Sequence, residues 1–505
     1  MRVVIEAQRK LGEVYISQIE FDLRSRDEIP KLLMGLQHIY CTPEIRDKVF
    51  AILKDMVPDR IDTKNGRPGM ELWKILVLGT VRLICNCDYD RLQELANNHQ
   101  ILRQMLGHGI LGKKDRYALQ TLIDNVSMFT PEILNRINTV VVEAGHALCK
   151  KTAKSEPEEI KLKGKCDSFV VKTDVHYPTD INLLYDAMRK VIMLLKALCF
   201  NIGLPTWRQG FCNIKKIKRE FRRIQKLKKS TSQDTIKRAN RERLIAEAHR
   251  SFIELSQLYL DRAAATIKSF GGFSMSGFLK VIEIEDYIAH GRRQIDQINR
   301  RVLNDETIPH NEKVFSIFEE HTEWINKGKA GVPQELGLKV CVVEDQYHFI
   351  LHHRVMQKET DDKIAVQVIK DTKANFPNLI SCSFDKGFYT PDNRKDLSEL
   401  LENVVLPKKG KLSLSDKEIE NSEDFVQARR KHSGVESAIN ALENHGLDRC
   451  LDHGIYGFKR YVALAVLSRN FQILGNIIQK QKLKSVTRSM KIRQTKERLK
   501  CPPAA

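Results

Sequence analysis

Residues Lys165–Asp180, KCDSFVVKTDVHYPTD, decide the fold, because they hold the first strand-like run in a chain whose preceding residues pattern as helix. The segment SFVVKTDV is rich in β-branched and aromatic residues, and Pro178 breaks the pattern in a turn. Acids stand at positions 167, 174 and 180. A carboxylate on a buried strand needs a balancing charge, so Asp167 asks for a partner elsewhere in the chain.

Toward the N-terminus, residues 1–150 pattern as a helical domain. MELWKILVLGTVRLICN carries apolar residues at helical spacing, DYDRLQELANNHQILRQML opens on acids suited to a helix start, and TPEILNRINTVVVEAGHALC begins with Thr130 as N-cap and Pro131 at the first helical position. Polar, Pro-containing KTAKSEPEEIKLK (residues 151–163) reads as a linker, so residues 151–185 form linker and first strand. Toward the C-terminus, strand patterning returns in LGLKVCVVEDQYHFILHHRVM, as two strands about the turn Glu344-Asp345-Gln346, and again in LISCSF and NVVLPK. Between them, residues 186–330 are helical and highly charged, a basic insertion. Residues 331–480 continue the strands and helices, and 481–505 form a basic tail. The fold class expected is α+β, a mixed sheet interrupted by a helical insertion and preceded by an all-α domain.

The net charge is +20, which favours a polyanionic partner. No uninterrupted run of about 18 apolar residues stands out, and WKILVLGTVRLIC is broken by Lys74 and Arg82. The opening MRVVIEAQRKLGEV lacks a signal peptide's apolar region. A cytoplasmic protein without a membrane partner is expected. The eleven cysteines are scattered, with Cys85 and Cys87 too close for a C-x-x-C site, so reduced, buried thiols are expected. His176, His352 and His353 lack a second cluster at ligand spacing and are expected as strand-end or turn residues rather than zinc ligands.

Two further acids resemble Asp167 in setting. Asp385 follows the apolar LISCSF, with Gly387 allowing a turn and Thr390-Pro391 starting a helix. Glu436 shares or borders the apolar face that Ile439 and Leu442 mark on its helix. Brought together by a sheet, these three would make an oxygen-donor site suited to Mg²⁺ or Mn²⁺.

The segments CDSFVVKTDVHYPTDINLLYDAMRKV, HTEWINKGKAGVPQELG, SFDKGFYTPDN and HSGVESAINALENHGLDRC, with GRPGMELWKILVLGTVRL before them, together resemble bacterial insertion-sequence transposases of the DDE type, in order from about residue 60 to 475. The resemblance implies an RNase H-like catalytic core whose Asp-Asp-Glu set binds two Mg²⁺ ions (Mn²⁺ can substitute) for cleaving and joining DNA strands. Matched motif to motif, the catalytic and metal-binding acids are Asp167, Asp385 and Glu436. Asp174 is an alternative first acid, and Asp180 in YPTD is expected as a helix cap. Where related enzymes often carry a basic residue about two turns beyond the Glu, this chain has Glu443, so Arg429, Arg430 and Lys431 are expected to supply phosphate contacts instead.

Within the insertion, Lys215, Lys216, Lys218, Arg219, Arg222, Arg223, Lys226, Lys228 and Lys229 surround Ile214, Ile217, Phe221 and Ile224, which recur at spacings of three and four. One face should pack, as half of an antiparallel pair with LIAEAHRSFIELSQLYL, and the others present cations to a DNA backbone. Trp324 is a candidate for stacking on an unpaired base, with Lys327 and Lys329 holding phosphates. The function expected is a DNA transposase acting on terminal inverted repeats, with double-stranded DNA and a second copy of the chain as partners. An inactive DNA-binding protein and another RNase H-like nuclease are the competing classes.

Overall fold

The structure, a computed structural model, describes residues 2–5, 12–57, 69–109, 116–153, 161–229, 234–270, 275–326 and 334–500. The chain divides into two compact units, Met1–Asp174 with Ile325–Ala505, and Val175–Trp324. The inserted unit therefore starts earlier than the expected residue 186. Residues 1–150 belong to the same unit as the sheet and share its core.

The sheet of the first unit is mixed. Its strands are β1 (Leu162–Thr173), β2 (Glu323–Asn326), β3 (Gln334–Glu344), β4 (Ile350–Val355), β5 (Leu379–Phe384), β6 (Asn403–Val405) and β7 (Arg449–Cys450). The order is β2-β3-β1-β5-β6, with β4 also on β3 and β7 also on β1. β1 runs antiparallel to β3, with Asp167 opposite Val342, and parallel to β5, with Cys166 opposite Phe384. Burial on both faces explains the apolar run of β3, whereas β1 keeps Lys163 exposed and Lys165 half-buried on one side. β1 begins at Leu162, inside the stretch expected as linker. Its alternating lysines disguised a strand whose other face holds buried Leu162, Gly164 and Cys166.

The expected β3–β4 turn forms, and its acid is satisfied. Asp345, fully buried, accepts the N–H groups of Tyr347 (2.8 Å) and Phe349 (2.9 Å), and its other oxygen meets His146 Nε2 at 2.5 Å. Leu72–Ile84 is a helix buried along its whole length. It tolerates its two cations because Lys74 pairs with Glu71 (2.5 Å) and Arg82 with the buried Asp452 (2.8 Å), the guanidinium lying 3.9 Å from the Tyr89 ring. Helices Glu28–Cys41 and Gly454–Lys500 touch backbone to backbone. A Cβ on Gly475 would stand 1.8 Å from the Lys31 carbonyl oxygen, and one on Gly35 2.3 Å from that of Phe471. Residues 481–500, expected as a tail, continue this long helix. Gly454–Met490 is the one helix among the described residues long and apolar enough to cross a bilayer, and 78% of its apolar window is buried. Among the described residues the cysteines are free, with Cys166 and Cys341 sulfurs 3.4 Å apart in the core.

The second unit is built on helices Asp180–Asn201, Gly210–Lys228, Thr235–Lys268 and Met275–Ile298 around Leu195, Ile217, Ile224, Phe252 and Leu260. Gly210–Lys228 and Thr235–Lys268 are antiparallel, since Asn213 accepts from Tyr259 (3.0 Å) at one end and Phe221 meets Phe252 toward the other. The cap of Asp180–Asn201 is Thr179, whose hydroxyl accepts from the Asn182 N–H at 3.3 Å. Asp180 sits in the first turn and pairs with Arg301 at 2.7 Å, which corrects the capping role expected for it. Two neighbouring cap-competent residues competed, and the helix started one residue earlier than a cap at Asp180 would set it.

Candidate functional site

The parallel register of β1 and β5 places Asp167 level with Asp385, because each follows one member of the Cys166–Phe384 pair. Asp167 is half-buried, while Asp385 is exposed at the end of β5, where it opens the turn Lys386–Phe388. Glu436 lies in the first turn of Gly434–Leu442 and is exposed beside the buried Val435, so it borders the apolar face. Negative charge in a first turn is favoured by the helix dipole.

The other acids act on Asp167. The Asp167 carboxyl is raised from its ordinary 3.8 to about 6, first by burial, and then by the negative charges of Asp385, Asp361 and Glu436, against the Ser168 N–H bond that favours the ionised form. Asp167 Oδ1 accepts that bond at 2.7 Å. Among the described residues no three acidic, imidazole or thiol groups form a closed ligand cage. The acids are electrostatic neighbours. All donors are carboxylate oxygens with surplus negative charge, a set that fits a hard divalent cation.

Sequence reasoning missed Asp361 and His432. Asp361 Oδ1 accepts from Ser168 Oγ (2.6 Å), and its Oδ2 takes Lys339 Nζ (2.9 Å) and borders Gly387, where a Cβ would lie 3.4 Å away. It thus supports the residue after Asp167 and abuts the turn after Asp385. His432 ends the helix Glu423–His432, and its Nδ1 lies 3.0 Å from Ser383 Oγ. Burial lowers the pKa of His432, Asp385 raises it, Lys165 lowers it and Glu436 raises it. Lys165 pairs with the buried Glu344 at 2.9 Å, and its Nζ would be 3.0 Å from a Cβ on Gly434. Nothing in an isolated helical run marks Asp361 or His432, since both acquire these partners only when their helices pack against the strands.

The remaining expected residues are dispersed. Asp174, the alternative first acid, is exposed and pairs with Arg449 at 3.2 Å. Arg429, Arg430 and Lys431 are exposed in the last turn before His432. Lys215, Lys216, Arg219, Arg222, Arg223 and Lys226 are exposed, while Ile217 and Ile224 are buried and Ile214 and Phe221 half-buried. Glu220 meets Arg219 at 3.3 Å and Arg223 at 3.7 Å. Trp324 is half-buried, with its ring 5.7 Å from Tyr177 and 5.6 Å from Phe315. Lys327 and Lys329 lie outside the described residues. His176 meets Asp186 at 2.5 Å, and His352 and His353 lie on β4, where burial lowers them to about 4 and about 3.

No protein-family model, curated protein or solved structure matches the chain.

Proposed function

We propose that the chain is a DNA transposase of the DDE insertion-sequence type, with an RNase H-like core formed by the β-sheet unit. The observation that carries this is the registered pair Asp167 and Asp385 with Glu436 near enough to act on the same carboxyl. Composition adds a net charge of +20, and the insertion adds an exposed cationic stripe.

In this reading Asp167, Asp385 and Glu436 would hold divalent cations, which when bound would supply activation of a water or 3′-hydroxyl and stabilisation of the leaving oxygen. The chain's own part is to hold the acids at the ends of separate elements. Burial keeps Asp167 protonated more readily than a free carboxyl, and the exposed Asp385 and Glu436 meet the incoming backbone. Arg429 and Arg430, in the turn before His432, and Lys215, Lys216, Arg219, Arg222, Arg223 and Lys226 hold phosphates. DNA is held as two ends by two copies of the chain, the simplest symmetric assembly.

The test is Mg²⁺-dependent cutting of labelled DNA that carries the boundaries flanking this gene, using native protein, Asp385→Asn and Glu436→Gln. Native protein is expected to cut at a repeat boundary and join strands, and both variants to bind DNA without cutting. Cleavage retained by either variant rejects the acid assignment. Salt-sensitive binding with no cutting by any of the three rejects the enzyme.

A further inference from the structure

Asp385 and Glu436 come from distant segments, so their separation depends on what ties β5 to the helices near residue 433. Ser383, 5% exposed, lies on β5 two positions before Asp385 and is paired with Lys165 in the β1–β5 register. Its hydroxyl meets Nδ1 of His432 at 3.0 Å. His432 closes one helix, Ser433 makes the junction, and Gly434 opens the helix that carries Glu436 in its first turn. Phe425, buried on the His432 helix, anchors that helix from its other end. On the far side of the junction Lys165, paired with Glu344, reaches Gly434, where its Nζ would stand 3.0 Å from an added Cβ.

We propose that His432 is a positioning residue that clamps the junction before Glu436 to the strand that ends at Asp385, so that the two carboxylates present a single cation-binding geometry. The inference rests on reading the acids as a metal site. Groups that orient metal ligands from behind matter because a ligand free to wander binds with a larger entropy loss. Their removal costs about 10–100-fold in metal affinity. The imidazole suits the task because it is rigid and its Nδ1 is fixed to Ser383, whereas a flexible side chain at the same place would leave the junction free to pivot.

The test is titration of the full-length, chelator-treated protein with Mn²⁺ by calorimetry, with Mn²⁺ electron paramagnetic resonance as a second readout. Five proteins are compared: native, His432→Ala, His432→Asn, Ser383→Ala, and the double variant Asp385→Asn/Glu436→Gln. His432→Ala and Ser383→Ala are each expected to weaken Mn²⁺ binding about tenfold with the thermal unfolding profile retained. His432→Asn, whose amide reaches the position of Nδ1, is expected to recover most of the loss. Native-like binding by His432→Ala or Ser383→Ala overturns the clamp and leaves the metal site standing. A loss that Asn does not recover also overturns it, because the ring would then act by something other than its bond to Ser383. Native binding no tighter than that of the double variant overturns the metal site, and the clamp with it.

Discussion

Asp167→Asn should make the metal-free protein more stable at neutral pH, an unusual result for a residue placed at the centre of a site. The native carboxyl moves from 3.8 to about 6, chiefly because burial and neighbouring acids disfavour its charge. The folded protein therefore holds this proton over a window in which the unfolded chain has already released it. Stability falls as pH rises from about 4 to about 6, and the cost is complete above that. At about 1.4 kcal/mol per tenfold change in affinity for the proton, the cost approaches 3 kcal/mol. Asparagine keeps an oxygen for the Ser168 N–H and carries no charge. Urea unfolding of both proteins in chelator, from pH 4 to pH 8, should show coincident midpoints at the acid end. Toward pH 8 the variant should pull ahead by about 2–3 kcal/mol. Adding Mg²⁺ at pH 8 should reverse the order, since only the native site gains from the ion. Parallel curves at every pH would mean that Asp167 is not under the charge pressure described above.

Two other outcomes are expected. Gly475→Ala puts a methyl 1.8 Å from the Lys31 carbonyl oxygen, where neither backbone can yield, so the two helices must part at a cost of about 1–3 kcal/mol or more, seen as a lower urea midpoint. Lys215→Glu with Arg222→Glu reverses two charges seven residues apart on one exposed stripe and should reduce the slope of log affinity against log salt for DNA by about two, with secondary structure by circular dichroism unchanged.

Much of the fold was legible. Thr130 and Thr390 cap the helices that open with Pro131 and Pro391, accepting from Ile133 and Asn393, because Ser/Thr-Pro signals act within one turn and need no tertiary context. The β3–β4 hairpin was visible in its apolar runs and polar turn. What escaped depends on pairing between distant segments. Lys163 and Lys165 made the start of β1 look like linker, although one lysine has its partner, Glu344, on the neighbouring strand. Asp361 stands in the first turn of a helix, and Lys339 and Ser168 become its partners only when β1 and β3 lie side by side. The three acids could be listed from their surroundings in sequence. That the Asp167 carboxyl is raised follows first from its half-buried position on the central strand and then from the charges of the neighbouring acids.

The close crossing at Gly35 and Gly475 has a bearing on synthesis. The helix Glu28–Cys41 leaves the ribosome early, yet the surface it packs against is made more than 400 residues later. The inserted unit, Val175–Trp324, is continuous in sequence and holds its own core, so it can fold while the rest is still being translated. The sheet unit cannot close until its last long helix emerges, and Glu436 is by then already synthesised. A nascent chain interrupted after Trp324 and before that helix would display the cationic insertion in folded form, with the sheet unit still unassembled.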